Sequence, residues 1–321
     1  LTVETGHGLG TEKRQKLVSW FKRWLKDDQS PVKKSAQDRF RLSDMLCTTK
    51  GQVNVSMPGA LSIMQENVNQ LDEWASKREA FLSKGKKTVQ AKMLDLLGLK
   101  GLPDHKIRIE ATGHDSMREY EQYKFQLIRE GEMPVPCILI MPSRANADSP
   151  VELRLQEEGK GTYLSEYANL AAALTEGKIL LLADLRGLGE TTDPAFYTDA
   201  KYWNREYRNA MVSMHIGRPI MGQRVVDILT LLDFCSEHEF LKEHPVKVFA
   251  NGIYGPVAIH AAYLDERISS VEIKHSVKTW KEYIERPMQW DMYSNVLYGA
   301  LKYYDLPDLI RLSNRPIRFA D

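Results

Sequence analysis

Few residues of this 321-residue chain combine the type and the setting that chemistry needs. Residues 246–268, VKVFANGIYGPVAIHAAYLDERI, read as a strand, a tight turn and a helix. That is the frame in which a G-x-S-x-G motif lifts a serine hydroxyl clear of a sheet. Laying residues 250–255 on the motif puts Gly252 at the serine's position, so the turn is present and the nucleophile position is vacant. The N–H of Ile253, one residue on, is a candidate oxyanion donor. A second donor set lies in EEGKG at 157–161, where Gly159, Lys160 and Gly161 would let backbone N–H groups approach a developing oxyanion. The same glycines also suit the sterics of a strand-to-helix turn and nothing more. The third candidate is His7 in ETGHGLG, placed between alternating apolar residues at Leu1 and Val3 and a helix carrying Leu17, Phe21, Trp24 and Leu25 on one face. Glycines on both sides would let that loop carry an imidazole that titrates near neutrality, as a proton-transfer base requires. A solvent-exposed histidine on an ordinary loop is the other reading.

Other groups weigh less. In DLRGLGE at 184–190, Arg186 can tie neighbouring loops together through carboxylates, a structural duty. His260 falls inside VAIHAAYL and reads as a packed helical residue, while His275 ends a strand and His215 sits in a polar-aromatic excursion. Cys47, Cys137 and Cys235 are far apart and lack C-x-x-C spacing, so they read as buried thiols. No metal or cofactor motif is present. Lysine plus arginine total 44 against 43 acidic residues, which gives no global field for nucleic acid or an anionic membrane surface. No apolar run approaches the length that spans a bilayer.

The elements around these residues alternate in kind. After a charged, proline- and glycine-containing stretch at 27–58 with a β-like segment at 52–55, two helices separated near Gly85 are expected between Ala60 and the stop at Gly98. KIRIEAT, YEQYKFQLIR and VPCILIMP then read as antiparallel strands. VELRL, KILLLA, VKVFAN and SSVEIK alternate with helices, the pattern of a parallel sheet covered on both faces. In such sheets ligands bind beyond the carboxyl ends of the strands, so the loops at 157–161, 184–190 and 251–254, and Asp321, are expected at one edge.

LADLRGLGET, HIGRPIMGQRVVDILTLLDF, NGIYGPVAIHAAYLDERI and YYDLPDLIRLSNRPIRF together resemble the acetyl-xylan-esterase-like α/β-hydrolases of bacterial polysaccharide-degrading systems, particularly their tandem forms. The opening ETGHGLGTEKRQKLVSWFKRWL is similar to the histidine loop and last helix of another such domain. The resemblance implies residues 1–26 as the end of a preceding hydrolase domain, 27–104 as a linker and helical connector, and 105–321 as a degenerate α/β-hydrolase-like domain. It also implies carbohydrate ester hydrolysis, with Asp321 matching the triad aspartate, His7 matching a triad histidine and Gly252 departing at the serine. Catalysis is then expected in an upstream domain of the same protein, acting on an acetylated polysaccharide or oligosaccharide in a periplasmic or extracellular setting, with no cofactor. A non-catalytic carbohydrate-binding or scaffolding module is the alternative, and a hydrolase directing water at the degenerate elbow a third.

Overall fold

The alternating runs after residue 105 form a meander. Strands β1 (Arg108–Ser116), β2 (Tyr120–Ile128) and β3 (Val135–Pro142) pair antiparallel in sequence order. The apolar strands β4 (Val151–Leu155), β5 (Ile179–Ala183), β6 (Val246–Asn251), β7 (Ile268–Lys274) and β8 (Ile317–Phe319) then run parallel to one another. The sheet order is β1-β2-β3-β5-β4-β6-β7-β8, with the β3–β5 pair antiparallel. The computed structural model describes residues 6–33, 40–194, 206–289 and 291–320. They divide into two units, Leu1–Leu61 and Ser62–Asp321.

In the first unit, α1 (Thr11–Lys26) follows the histidine loop as its periodicity predicts. No residue of this helix is buried, and Trp20, Phe21 and Trp24 form an aromatic cluster on its surface. Residues 52–55, expected as β-like, instead enter a single helical turn, α2 (Val53–Ser56). A lone β-branched segment has no ladder to join among the described residues of this unit, so its β preference goes unused.

In the second unit, α3 (Ile63–Leu82) and α4 (Lys86–Leu96) break at Gly85. Gly98, at φ +71°, closes α4: its N–H donates to the Asp95 carbonyl while that of Leu99 donates to the Leu94 carbonyl, the paired bonds of a glycine C-cap. Leu71, Leu82, Val89, Met93 and Leu97 place both helices in the same core as the sheet.

Helices α5 (Lys160–Ser165), α6 (Tyr167–Thr175), α7 (Tyr207–His215), α8 (Ile220–Glu237), α9 (Tyr254–Leu264), α10 (Lys281–Glu285) and α11 (Leu306–Leu312) complete the unit. Strand β5 shows why both faces need cover. Its alternate residues Ile179, Leu181 and Ala183 enter the main core with α8 and α9, while Leu180 and Leu182 pack with Tyr163 and Ala173 of α5 and α6. Every residue of α9 is buried, as its continuous apolar sequence requires.

Among the described residues no helix is long and apolar enough to cross a membrane. Cys137 and Cys235 are buried, whereas Cys47 is exposed in the first unit, outside any core that would cover it.

Candidate functional site

Parallel pairing brings the carboxyl ends of β4, β5 and β6 to one edge, and with them Gly159, Asp184 and Gly252. Asp321 lies outside the described residues, two positions beyond the end of β8 in sequence.

The elbow has kept its backbone. Gly252 sits at φ +59°, in the left-handed region that L-residues enter only at a cost, and its N–H donates to the Lys274 carbonyl at 2.9 Å. What fills the vacant position is the carboxylate of Glu157, from the β4–α5 loop. A Cβ added at Gly252 would fall on Glu157 Oε1, and the same oxygen accepts the Ile253 N–H. The two loops are also joined by Asn251 Nδ2 donating to Gln156 Oε1 at 3.0 Å. On the far side, His275, itself at φ +51°, places Nδ1 3.2 Å from Asn251 Oδ1. An acyl-transfer site needs its amide donors open toward the oxygen that gains charge. Here the donor next to the elbow already serves a negative group.

The second donor set is engaged as well. The Lys160 N–H donates to Asp184 Oδ1 at 2.6 Å, and the Gly159 N–H to the Gln156 carbonyl at 3.0 Å. Lys160 Nζ reaches Asp184 Oδ2 at 2.6 Å and Glu190 Oε2 at 2.7 Å. Burial works against the Lys160 ammonium, but Asp184 and Glu190 outweigh it and hold the amine above the ordinary lysine value. Asp184 also accepts the Glu190 N–H at 2.9 Å, so one buried carboxylate fastens the β4 and β5 loops together.

Beneath them, Arg186 grips Asp227 through Nε and Nη2 and turns Nη1 to Glu132 at 3.0 Å and Gln223 at 2.9 Å. The fully buried Arg224 pairs with Glu206 at 2.5 Å and donates through Nε to the Arg186 carbonyl. Tyr254 points its hydroxyl into the interior, where it has no hydrogen-bond partner among the described residues, and burial pushes its pKa up.

His7 lies in the Leu1–Leu61 unit, exposed in the loop before α1, where Lys13 Nζ donates to the Gly6 carbonyl at 2.6 Å. His260 is fully buried, with Nδ1 2.7 Å from the Pro256 carbonyl and Nε2 3.2 Å from the Tyr304 hydroxyl. Burial pushes its pKa down to about 4, so it packs as a neutral ring.

A Ser/His/Asp grouping stands apart from the elbow, where His105 Nδ1 is 2.7 Å from Asp233 Oδ1 and Ser236 is close by. It does not compose a triad. Asp233 is shared with Arg129 and Arg267, and the Ser236 hydroxyl donates to the Leu232 carbonyl. Among the described residues no group of three or more His, Cys, Asp or Glu is placed to hold a metal.

Glu157 is the site residue that the sequence reading did not assign. It contacts the elbow across 96 positions, and the one hint was an acidic pair at the carboxyl end of a strand, facing a turn without its side chain.

The fold defined by this sheet, its elbow and the helices on both faces is that of the α/β-hydrolases. No protein-family model and no curated protein matches the sequence. Among solved structures, a Bacteroides fragilis protein provisionally assigned as an acetyl xylan esterase superposes with a TM-score of 0.64, at 13% identity, over 82% of this chain and 75% of that one. A glucuronoyl esterase from Solibacter usitatus superposes with a TM-score of 0.50, at 12% identity, over 76% and 75%. The chain thus has an acetyl-xylan-esterase-like fold, and at these identities the likeness is one of fold.

Proposed function

We propose that the Ser62–Asp321 unit is a carbohydrate-esterase-like fold that binds a saccharide without cleaving esters. In this reading serine hydrolysis, where the protein performs it, belongs to a separate hydrolase unit whose base is His7. The ligand class, an acetylated polysaccharide or oligosaccharide, follows from the names of the structural neighbours, and a periplasmic or extracellular setting accords with it.

The observation that carries the reading is the double loss at the elbow. The nucleophile is a glycine, and its oxyanion donor is occupied by the Glu157 carboxylate. An oxyanion forming there would meet a negative group in place of a donor, which reverses the electrostatic term on which acyl transfer chiefly depends.

The test is labelling of the purified full chain with a fluorophosphonate, alongside hydrolysis of an aryl acetate. No peptide within residues 62–321 should carry a phosphonyl adduct, and Gly252→Ser should bring no gain in turnover, because Glu157 still holds the Ile253 N–H. An adduct on a serine of this unit would overturn the reading. So would ester turnover that disappears in Glu157→Gln, since the carboxylate would then be directing a water. Any turnover that belongs to a His7-based unit should instead fall by orders of magnitude in His7→Ala.

A further inference from the structure

We propose that the flank of α3 carrying the half-buried Trp74 and Phe81 forms, with residues 280–289 and 291–303, an elongated site for an acidic oligosaccharide, one whose pyranose rings carry carboxylates. This deepens the saccharide-binding reading above and rests on it only for the ligand being a sugar.

Two contiguous cavities, of about 560 and 540 Å³, run along this face and share Gln70, Trp74 and Lys302 as common wall. Flat aromatic surfaces recur along them: Tyr298, which is 88% exposed, Trp74, and Phe81 packed edge-on to Tyr303. Trp74 and Phe81 are seven residues apart on one helix, hence about 10 Å along its axis, the length of a disaccharide. Aromatic faces carry negative charge at their centres and suit the polarised C–H face of a pyranose. One and two turns before Trp74, Gln70 and Asn67 lie three residues apart on the same helix face, exposed and without a side-chain hydrogen bond among the described residues, as partners for hydroxyl groups would be.

The charge sets the class of sugar. Among the described residues Lys302 is the single lysine or carboxylate lining the first cavity, and the second adds Glu73, Lys77 and Lys84. Lys77 is neutralised by Glu73 at 2.5 Å. Lys302 and Lys84 have no carboxylate partner among the described residues; each ammonium stands over an aromatic ring, 5.9 Å from the Trp74 centroid and 5.6 Å from that of Phe81. Two uncompensated cations, each beside a ring-stacking surface, match carboxylates carried on linked sugar rings. An acidic peptide fits less well: the backbone groups of α3 are closed within the helix and offer no edge for strand pairing.

The experiment is isothermal titration of the full chain with an oligogalacturonate, a neutral xylo-oligosaccharide of equal length, and polyglutamate. The oligogalacturonate should bind best and weaken as salt rises from about 0.05 to about 0.5 M. Lys84→Gln and Lys302→Gln should each weaken it roughly ten-fold, the loss of one charge-assisted contact, and Tyr298→Ala should weaken both sugars. All three side chains are exposed, so these variants fold. Equal binding of polyglutamate, equal binding of the neutral sugar, no binding of any probe, or lysine variants that bind like the parent would each overturn the proposal. The groove shares no lining residue with Gly252, Ile253 or Glu157, so a phosphonyl adduct at the elbow would refute the non-hydrolytic reading and leave this measurement standing.

Discussion

Gly252 and Glu157 hold each other in place. The glycine accepts a positive φ at little cost and leaves the volume the carboxylate uses, and the carboxylate satisfies the amide that the vacant elbow would otherwise expose. Gly252→Ala should therefore destabilise in two separable ways. Left-handed backbone strain contributes roughly 1–2 kcal/mol, and overpacking against Glu157 a further ~1–3 kcal/mol. Adding Glu157→Ala removes the second contribution and not the first, so the double variant should recover part of the loss and the two changes should couple by about 1 kcal/mol or more. Urea unfolding of the parent, both single variants and the double variant measures this. Additive effects would show that the carboxylate does not occupy the elbow in solution. For activity the expectation differs, because emptying the position restores a donor but supplies no nucleophile.

At the scale of elements, α9 ties the elbow to the core through one histidine. His260 is neutral and buried, bonded to the Tyr304 hydroxyl and packed at a tilt against Trp280. Its folded-state pKa of about 4 lies below the ordinary value of 6.5, so the unfolded chain binds the proton more readily. Its contribution is fully present above pH 6.5 and is lost as pH falls toward 4, at up to about 1.4 kcal/mol per pH unit. His238, also lowered by burial, adds to the same trend. Thermal unfolding between pH 7 and 4 should show a steeper loss in the parent than in His260→Gln, and identical slopes would mean that the ring is charged or solvated when folded. The sequence displayed this element well: an unbroken apolar helix after a strand and a tight turn leaves few other readings, and the meander of β1–β3 was as plain in its alternation. The contact that decides the site was not displayed, because Glu157 and Ile253 meet only once β4 and β6 are neighbours in the sheet. Lys160 shows the same limit, since its glycine setting suggested an open donor while Asp184, 24 positions away, takes the N–H. The 52–55 segment failed for the opposite reason, local preference without a partner strand.

Over the whole molecule, the division of the chain decides what can be cut from it. Helices α3 and α4 carry no chemistry in their sequence, which by itself places them in the connector at 27–104. Yet their buried leucines, Val89 and Met93 enter the sheet's core, Arg78 pairs with Asp308 at 3.1 Å, and the Tyr263 hydroxyl donates to the Lys86 carbonyl at 3.3 Å. Releasing them would expose apolar surface on both sides, so proteolysis should respect the Ser62–Asp321 boundary. Limited digestion of the native protein should cut within the stretch before Ser62, which is rich in lysine and arginine and where no described residue is buried, and leave a resistant fragment that begins near Ser62. Mass spectrometry reads the new amino terminus. A resistant core beginning near residue 105 instead would mean that α3 and α4 are a detachable connector, and the groove along α3 would then lose the wall supplied by residues 280–289 and 291–303.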